Sequence, residues 1–156
     1  MGIDAQVSIA FPFGITTLRG EYIQGQHPGT AQVQNSADIY MRNFNGAYCY
    51  FIQNLFNSKN DIVVKYDWYD PNTKVSGNEI VAKSSTGKKT NLTANDIKFS
   101  TLGLGWNYRF NSQVKFTAYY EIVKNETTGI TGANSTNNYT KDLTDNVLTL
   151  RVQYKF

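Results

Sequence analysis

Hydrophobic and polar residues alternate with a period of two in one segment after another along the chain. In residues 3–11, apolar side chains at the odd positions are separated by Asp4, Gln6 and Ser8. The same alternation recurs in residues 16–24, 61–70, 99–110, 114–123 and 148–156. Such a pattern is typical of β-strands with two unlike faces, and no helical period competes with it. The sequence therefore predicts an all-β chain.

A seventh strand is predicted over residues 43–53, where both faces carry aromatic side chains. One set is Phe44, Tyr48 and Tyr50, and the other contains Cys49 and Phe51. The alternation does not decide which set lies on the apolar side. The predicted fold class is the same in both cases, but different side chains of this strand would then be exposed to water.

The connections between these strands alternate between short and long. Residues 12–14, 54–60 and 111–113 form short connections, whereas 25–38, 71–96 and 125–141 form long polar ones. Strands of about nine to twelve residues suit a tilted crossing of a bilayer. Short turns at one end and long loops at the other are typical of outer-membrane barrels. We therefore expect an antiparallel up-and-down transmembrane β-barrel, with about seven of its strands in this chain.

The aromatic residues support this prediction, because they collect at the ends of the strands. They make up 14% of the chain, although its mean hydropathy is only -0.44. Those near short turns or the last residue are Phe11, Phe13, Tyr108, Phe110, Phe116, Tyr154 and Phe156, and those near long loops are Tyr22, Trp68 and Tyr120. Two such bands match the aromatic girdles of membrane barrels. A soluble barrel with aromatic side chains in its core is the alternative.

The sequence contains no group of residues that indicates a catalytic or metal-binding site. The chain has one histidine, His27, in a predicted loop, and one cysteine, Cys49, within a predicted strand. Neither a disulfide nor a multi-histidine metal site can be built from them. We expect no enzyme activity and no cofactor. The net charge of +3 is small and scattered, which argues against a nucleic-acid partner.

The strand count suggests that the chain is part of a larger barrel. Single-chain bacterial barrels have an even number of strands. Residues 1–11 are not expected to be a signal peptide, since they alternate and contain Asp4. We expect residues 1–156 to be the C-terminal part of a single outer-membrane barrel domain. A small eight-stranded barrel that lacks one strand here is the alternative.

Charged residues between the apolar positions are the candidate functional residues, because they would line the water-filled interior. The predicted pore-lining set is Arg19, Glu21, Lys65, Asp67, Lys115, Glu121, Arg151 and Lys155. Rings of basic side chains in a channel favour anions, and acidic neighbours temper that field. Arginine adds a planar fork that suits phosphate.

Several segments resemble one known family. The last strand, within residues 141–156, ends in alternating apolar residues and a terminal aromatic, Phe156. Residues 65–77, 96–110 and 118–126 resemble segments of the same family, the phosphate-selective porins of the O and P type, in the form common in Bacteroidota. The resemblance extends from about residue 43 to the end and is weaker before that.

The resemblance implies a sixteen-stranded porin in the bacterial outer membrane, usually a homotrimer, through which small anions such as phosphate diffuse passively. It also implies that the strand ending at Phe156 is read by the outer-membrane assembly machinery. One feature departs from the family: only Arg19 and Arg151 are arginines at central lumen-facing positions. A structural or surface-binding barrel, whose three long loops bind a partner, is the alternative function.

Overall fold

The computed structural model describes residues 1–29, 40–56, 59–81, 92–129 and 139–156. They form one antiparallel sheet of seven strands, and each strand pairs with its neighbours in chain order. The strands are β1 (Gly2–Phe11), β2 (Gly14–Gly29), β3 (Tyr40–Asn54), β4 (Asn60–Asp70), β5 (Phe99–Arg109), β6 (Val114–Asn125) and β7 (Val147–Tyr154). The all-β prediction and the seven strands are confirmed. The sheet is not closed into a barrel: in the described part of the chain, β1 and β7 are its two edges.

Two strands are longer than the sequence pattern predicts. β2 and β3 stay paired from Thr16 opposite Gln53 to Gly29 opposite Tyr40. The prediction that a loop begins at residue 25 is therefore wrong for residues 25–29, and residues 30–38 lie outside the described part. The reason is visible at His27, whose ring lies 5.7 Å from that of Phe44 on the neighbouring strand. This cross-strand contact continues the ladder past the point where the alternation fades.

The connections alternate as predicted in the described part of the chain. Two-residue and four-residue turns join β1 to β2 and β5 to β6, at the same end of the sheet as the β3–β4 turn. The connections after β4 and after β6 emerge at the opposite end. The first of these contains two single turns of 3-10 helix, Gly77–Glu79 and Ala94–Asp96. The ends of the sheet are therefore unlike.

The two faces of the sheet are also unlike, and the strand register defines them. Cross-strand partners share a face and successive residues alternate. One face, here called the apolar face, carries Ile3, Val7, Leu18, Phe51, Val64, Leu104, Tyr120 and Leu148 in linked pairs. The other is called the polar face. In β3, Cys49 and Phe51 lie on the apolar face, and Phe44, Tyr48 and Tyr50 lie on the polar face, which resolves the ambiguity in the sequence.

Very few apolar side chains are buried. Among the described residues, the buried hydrophobic ones are Val63, Ile80 and Ile97. On the apolar face, Leu104 is 46% exposed and Leu150 is 74% exposed. A sheet of soluble type would cover such a face with a second layer. No helix in the described part of the chain is long and apolar enough to cross a membrane.

Candidate functional site

The register brings most of the predicted charged residues to one surface. The polar face carries Arg19, Glu21, Lys65, Asp67, Lys115, Glu121 and Arg151. Lys155 directly follows the end of β7, where its N–H donates to the carbonyl oxygen of Gln113 at 2.8 Å. The alternation in the sequence was therefore sufficient to group seven side chains from four strands. It could not show how their charges are paired.

Two rows of side chains cross the middle of the polar face. In one row, Tyr48 lies between Glu21 and Asp67 on the neighbouring strands. In the next row, Tyr50 lies between Arg19 and Lys65. A row with two carboxylates thus lies beside a row with two cations. The rows interact, because Arg19 of one row lies over the ring of Tyr48 of the other at 5.6 Å. Within its own row, Lys65 lies over the ring of Tyr50 at 5.7 Å.

The two cations of this region differ in their pairing. Lys65 Nζ lies 2.6 Å from Asp67 Oδ2, two residues along the same strand. Arg19 makes no ion pair within the described part of the chain, and its guanidinium contacts an aromatic face instead. The Lys65–Asp67 pair sums to zero charge, so the remaining charges of the two rows are Arg19 and Glu21, which form no ion pair with each other in the described part of the chain.

A tyrosine from β6 lies across two glycines of β5. A Cβ atom placed on Gly105 would come within 2.6 Å of a ring carbon of Tyr119, and one on Gly103 would overlap the same side chain. The absence of a side chain at Gly103 and at Gly105 makes room for this ring. Covering a strand glycine with a cross-strand aromatic is a known way to stabilise a sheet. Tyr119 is therefore fixed against the wall of the polar face.

The connection after β4 folds back over the polar face. Its described residues 71–81 and 92–98 are here called the anchored segment. Arg42, on the polar face of β3, donates from Nε to Asp96 Oδ1 at 2.6 Å and from Nη2 to Asp96 Oδ2 at 2.9 Å. Both side chains are almost fully buried, with 4% and 0% exposure. This two-point pair joins the segment to the sheet.

Further bonds complete the surroundings of Asp96. Asn72 Nδ2 donates to Asp96 Oδ1 at 2.8 Å, and the N–H of Thr93 donates to Oδ2 at 2.8 Å. Thr93 Oγ1 adds a long bond of 3.5 Å to Oδ2, so Oδ1 accepts two bonds and Oδ2 accepts three. A buried ion pair is tolerated when its remaining hydrogen-bonding groups are satisfied in this way.

A small apolar cluster and a second carboxylate hold the rest of the segment. Ile80 and Ile97 are buried against each other, and Phe99, on the polar face of β5, lies beside them. Glu126, just after β6, accepts the N–H of Gly77 at 2.6 Å and that of Lys98 at 3.3 Å. Because these contacts come from three parts of the sheet, the segment lies over the polar face at the end where the long connections emerge.

The ionisation of Asp96 is set by opposing effects. Burial raises the pKa of Asp96, but the bonds from Arg42, from the Thr93 N–H and from Asn72 lower it and prevail. The pKa of this carboxyl is therefore below its ordinary value in the folded protein. A carboxyl with a depressed folded-state pKa contributes stability above its unfolded pKa of about 3.9.

We expect the anchored segment to stay in place at neutral pH and to be released in acid. Its stabilisation by Asp96 should be constant above about pH 5 and should be lost as the pH falls below about 4, through the folded-state pKa. The NMR amide signals of Thr93 and Asn95, followed against pH, measure the release. Asp96→Asn serves as the control, because it should remove the acid transition at these amides. An unchanged transition in that variant would assign it to another group.

The apolar face carries aromatic side chains near the short-turn end. Phe11 and Phe13 stack at 5.1 Å, and Tyr108 lies 5.9 Å from Trp106 and 6.4 Å from Phe116. Trp106 is 44% exposed. The band is continued by Tyr154 beside Phe156 at 6.2 Å. Of the two aromatic bands that the sequence predicts, the one near the short turns and the last residue is therefore present on the apolar face.

Sequence reasoning missed the residues that anchor the long connection. Arg42 and Asp96 are 54 positions apart, and nothing in the alternation relates them. Arg42 falls between the predicted loop and the predicted strand, where no face was assigned. One local signal was available: Thr93 and Asp96 have the spacing of a capping box, which the structure contains.

The comparisons with known proteins give no relative: no family model, no curated protein and no solved structure matches this chain. Within the described ranges, no three side chains among His, Cys, Asp and Glu come together as a metal site. The candidate site is thus a charged and aromatic surface, one end of which lies under the anchored segment.

Proposed function

We propose that this chain forms part of the wall of an outer-membrane porin through which small anions, such as phosphate, diffuse passively. The observation that carries the proposal is the sheet with two unlike faces, an exposed apolar one and a polar one that the anchored segment covers at one end. Apolar side chains bordered by aromatic ones suit lipid on one side, and charged side chains suit water on the other. The resemblance to phosphate-selective porins supports the same function.

The proposal requires the sheet to be closed by further strands. In a meander of seven strands, the first and the last run in the same direction, so β1 and β7 cannot close on each other as antiparallel neighbours. An antiparallel barrel needs an even number of strands. The porin family would supply sixteen strands, a homotrimer, and assembly through the strand that ends at Phe156.

In such a channel the polar face would lower an electrostatic barrier and would perform no chemical step. Basic side chains replace part of the hydration and the counter-charge of a passing anion. Arg19 and Arg151 are the residues we propose for this role, together with Lys115. The anchored segment, which lies over the polar face, would narrow the mouth at the end with long connections.

Reversal potentials of the complete channel protein in planar bilayers under a KCl gradient test this function. We expect preference for chloride, and at least a twofold decrease in the chloride-to-potassium permeability ratio in Arg19→Ala/Arg151→Ala, because two positive charges are lost. The matched control is Lys65→Ala/Asp67→Ala, which removes a neutral pair and should change the ratio little. A preference for potassium in the unmodified protein would contradict anion selectivity.

A further inference from the structure

A line of aromatic rings runs along β3 on the polar face. Phe44, Tyr48 and Tyr50 occupy alternate positions of this strand, with Gly46 between the first two. Tyr48 and Tyr50 contact each other edge to face at 5.5 Å, and Phe44 lies 6.0 Å from Tyr69 on β4. Contact with lipid does not explain aromatic side chains on the polar face, which would face the water of a channel. They are available to a solute.

A cavity of about 300 Å³ lies beside this line of rings. Tyr48 and Tyr69 form aromatic walls, Ile23 adds an apolar surface, and Glu21, Lys65 and Asp67 supply charge. Gly46 keeps the space open, because a Cβ there would come 3.1 Å from the ring of Tyr69. The volume is at the lower end of the ~300–1,000 Å³ usual for small-molecule sites.

The charges around the cavity cancel. The lining contains the carboxylates of Glu21 and Asp67, on either side of Tyr48, and Lys65, which is paired with Asp67. Arg19 is outside the lining but lies beside it, over the Tyr48 ring. Two negative and two positive groups leave no net attraction for an ion. They do leave carboxylate acceptors and cationic donors directed at the same space. A neutral solute with many hydroxyl groups can use both kinds of partner.

We propose that this cavity binds the pyranose ring of a neutral saccharide. The inference rests on the proposed porin function and adds a solute class to it. The aromatic faces pack against the C–H faces of the sugar ring, and the charged side chains exchange hydrogen bonds with its hydroxyl groups. A phosphate dianion is disfavoured here, because Glu21 and Asp67 flank the site and the charge of Lys65 is already paired.

The position of the cavity fits a solute in passage. Tyr69, which lines it, is the cross-strand partner of Phe99, and Phe99 packs against Ile80 and Ile97 of the anchored segment. The cavity therefore lies next to the part of the polar face on which the anchored segment packs. A ring held there would occupy the path along the wall and would obstruct the flow of ions.

Single-channel recordings of the complete protein in planar bilayers test the inference with maltotriose as the probe. We expect a saturable decrease of ion current with maltotriose, and a weaker one with D-glucose. Sorbitol, a hydroxyl-rich molecule without a ring, should give no saturable decrease. Equal effects of sorbitol and glucose, or block by phosphate in place of sugar, would overturn the proposal.

Variants locate the effect. Tyr48→Ala should weaken the apparent affinity for maltotriose about tenfold or more, and Tyr48→Phe should retain it, because the ring is kept. The matched control is Tyr66→Ala, which removes a tyrosine from the apolar face and should leave the affinity unchanged. Equal losses in both alanine variants would indicate a general structural effect and would contradict this site.

A second measurement separates this inference from the porin function. Isothermal titration calorimetry of the detergent-solubilised protein with maltotriose does not depend on conductance. Ion current without sugar binding would overturn the saccharide site alone. Sugar binding that Tyr48→Ala abolishes, in a protein without ion current, would contradict the porin function and retain the site.

Discussion

Replacing Arg42 by methionine is expected to release the anchored segment while the sheet stays folded. The substitution keeps an unbranched side chain but leaves the carboxylate of Asp96 buried without its guanidinium partner. Breaking a buried ion pair from one side costs about 3–5 kcal/mol. If this free energy is lost from the local opening of the segment, amide exchange at residues 92–98 should accelerate by roughly 150- to 5,000-fold. Hydrogen exchange read by mass spectrometry measures it.

The chain contains a matched control for this variant. Arg109 also pairs with a carboxylate, with Nη2 at 2.8 Å from Asp61 Oδ1, but its side chain is 47% exposed. Exposed pairs contribute about 0–1 kcal/mol. Arg109→Met should therefore change exchange near β4 and β5 by less than about tenfold. If Arg42→Met leaves residues 92–98 as protected as before, the ion pair does not hold the segment.

Features of the fold that depend on residues close in sequence could be predicted, whereas those that depend on contacts between distant residues could not. Within a strand, the alternation shows which residues are on the apolar side. The pattern around Val7 and around Leu104 was therefore enough to place both on the apolar face. The same information is absent where both faces are aromatic, as at Tyr48 and Phe51. There the register with β2 and β4 decides, because a one-residue slip would turn every side chain of the strand over.

Most charged residues of the polar face were predictable from the sequence, but their arrangement was not. Arg19, Lys65 and Glu21 could be assigned to the polar face from their positions between apolar residues. That Tyr48 lies between two carboxylates depends on pairing across three strands, which a single sequence does not contain. The contact of Arg42 with Asp96 is harder still, since it depends on how a long connection folds back.

A positive charge in the middle of the apolar face is expected to prevent insertion of the protein into membranes. Leu104 lies at the centre of β5, between Val64 and Tyr120 of the neighbouring strands. An arginine on the lipid side of a barrel costs about 2–4 kcal/mol at the bilayer midplane. We expect Leu104→Arg to reduce the folded, membrane-inserted fraction by at least about tenfold, measured by heat-modifiable gel mobility after refolding into lipid vesicles.

The control for this variant lies three residues earlier on the same strand. Thr101 is on the polar face, opposite Asp67, so Thr101→Arg places the same charge beside a carboxylate and in water. Its inserted fraction should match that of the unmodified protein. In water alone the two variants would differ little, because Leu104 is already half exposed in the sheet. A large difference in vesicles thus supports lipid on the apolar face, whereas equal insertion of both variants would mean that something other than lipid covers it.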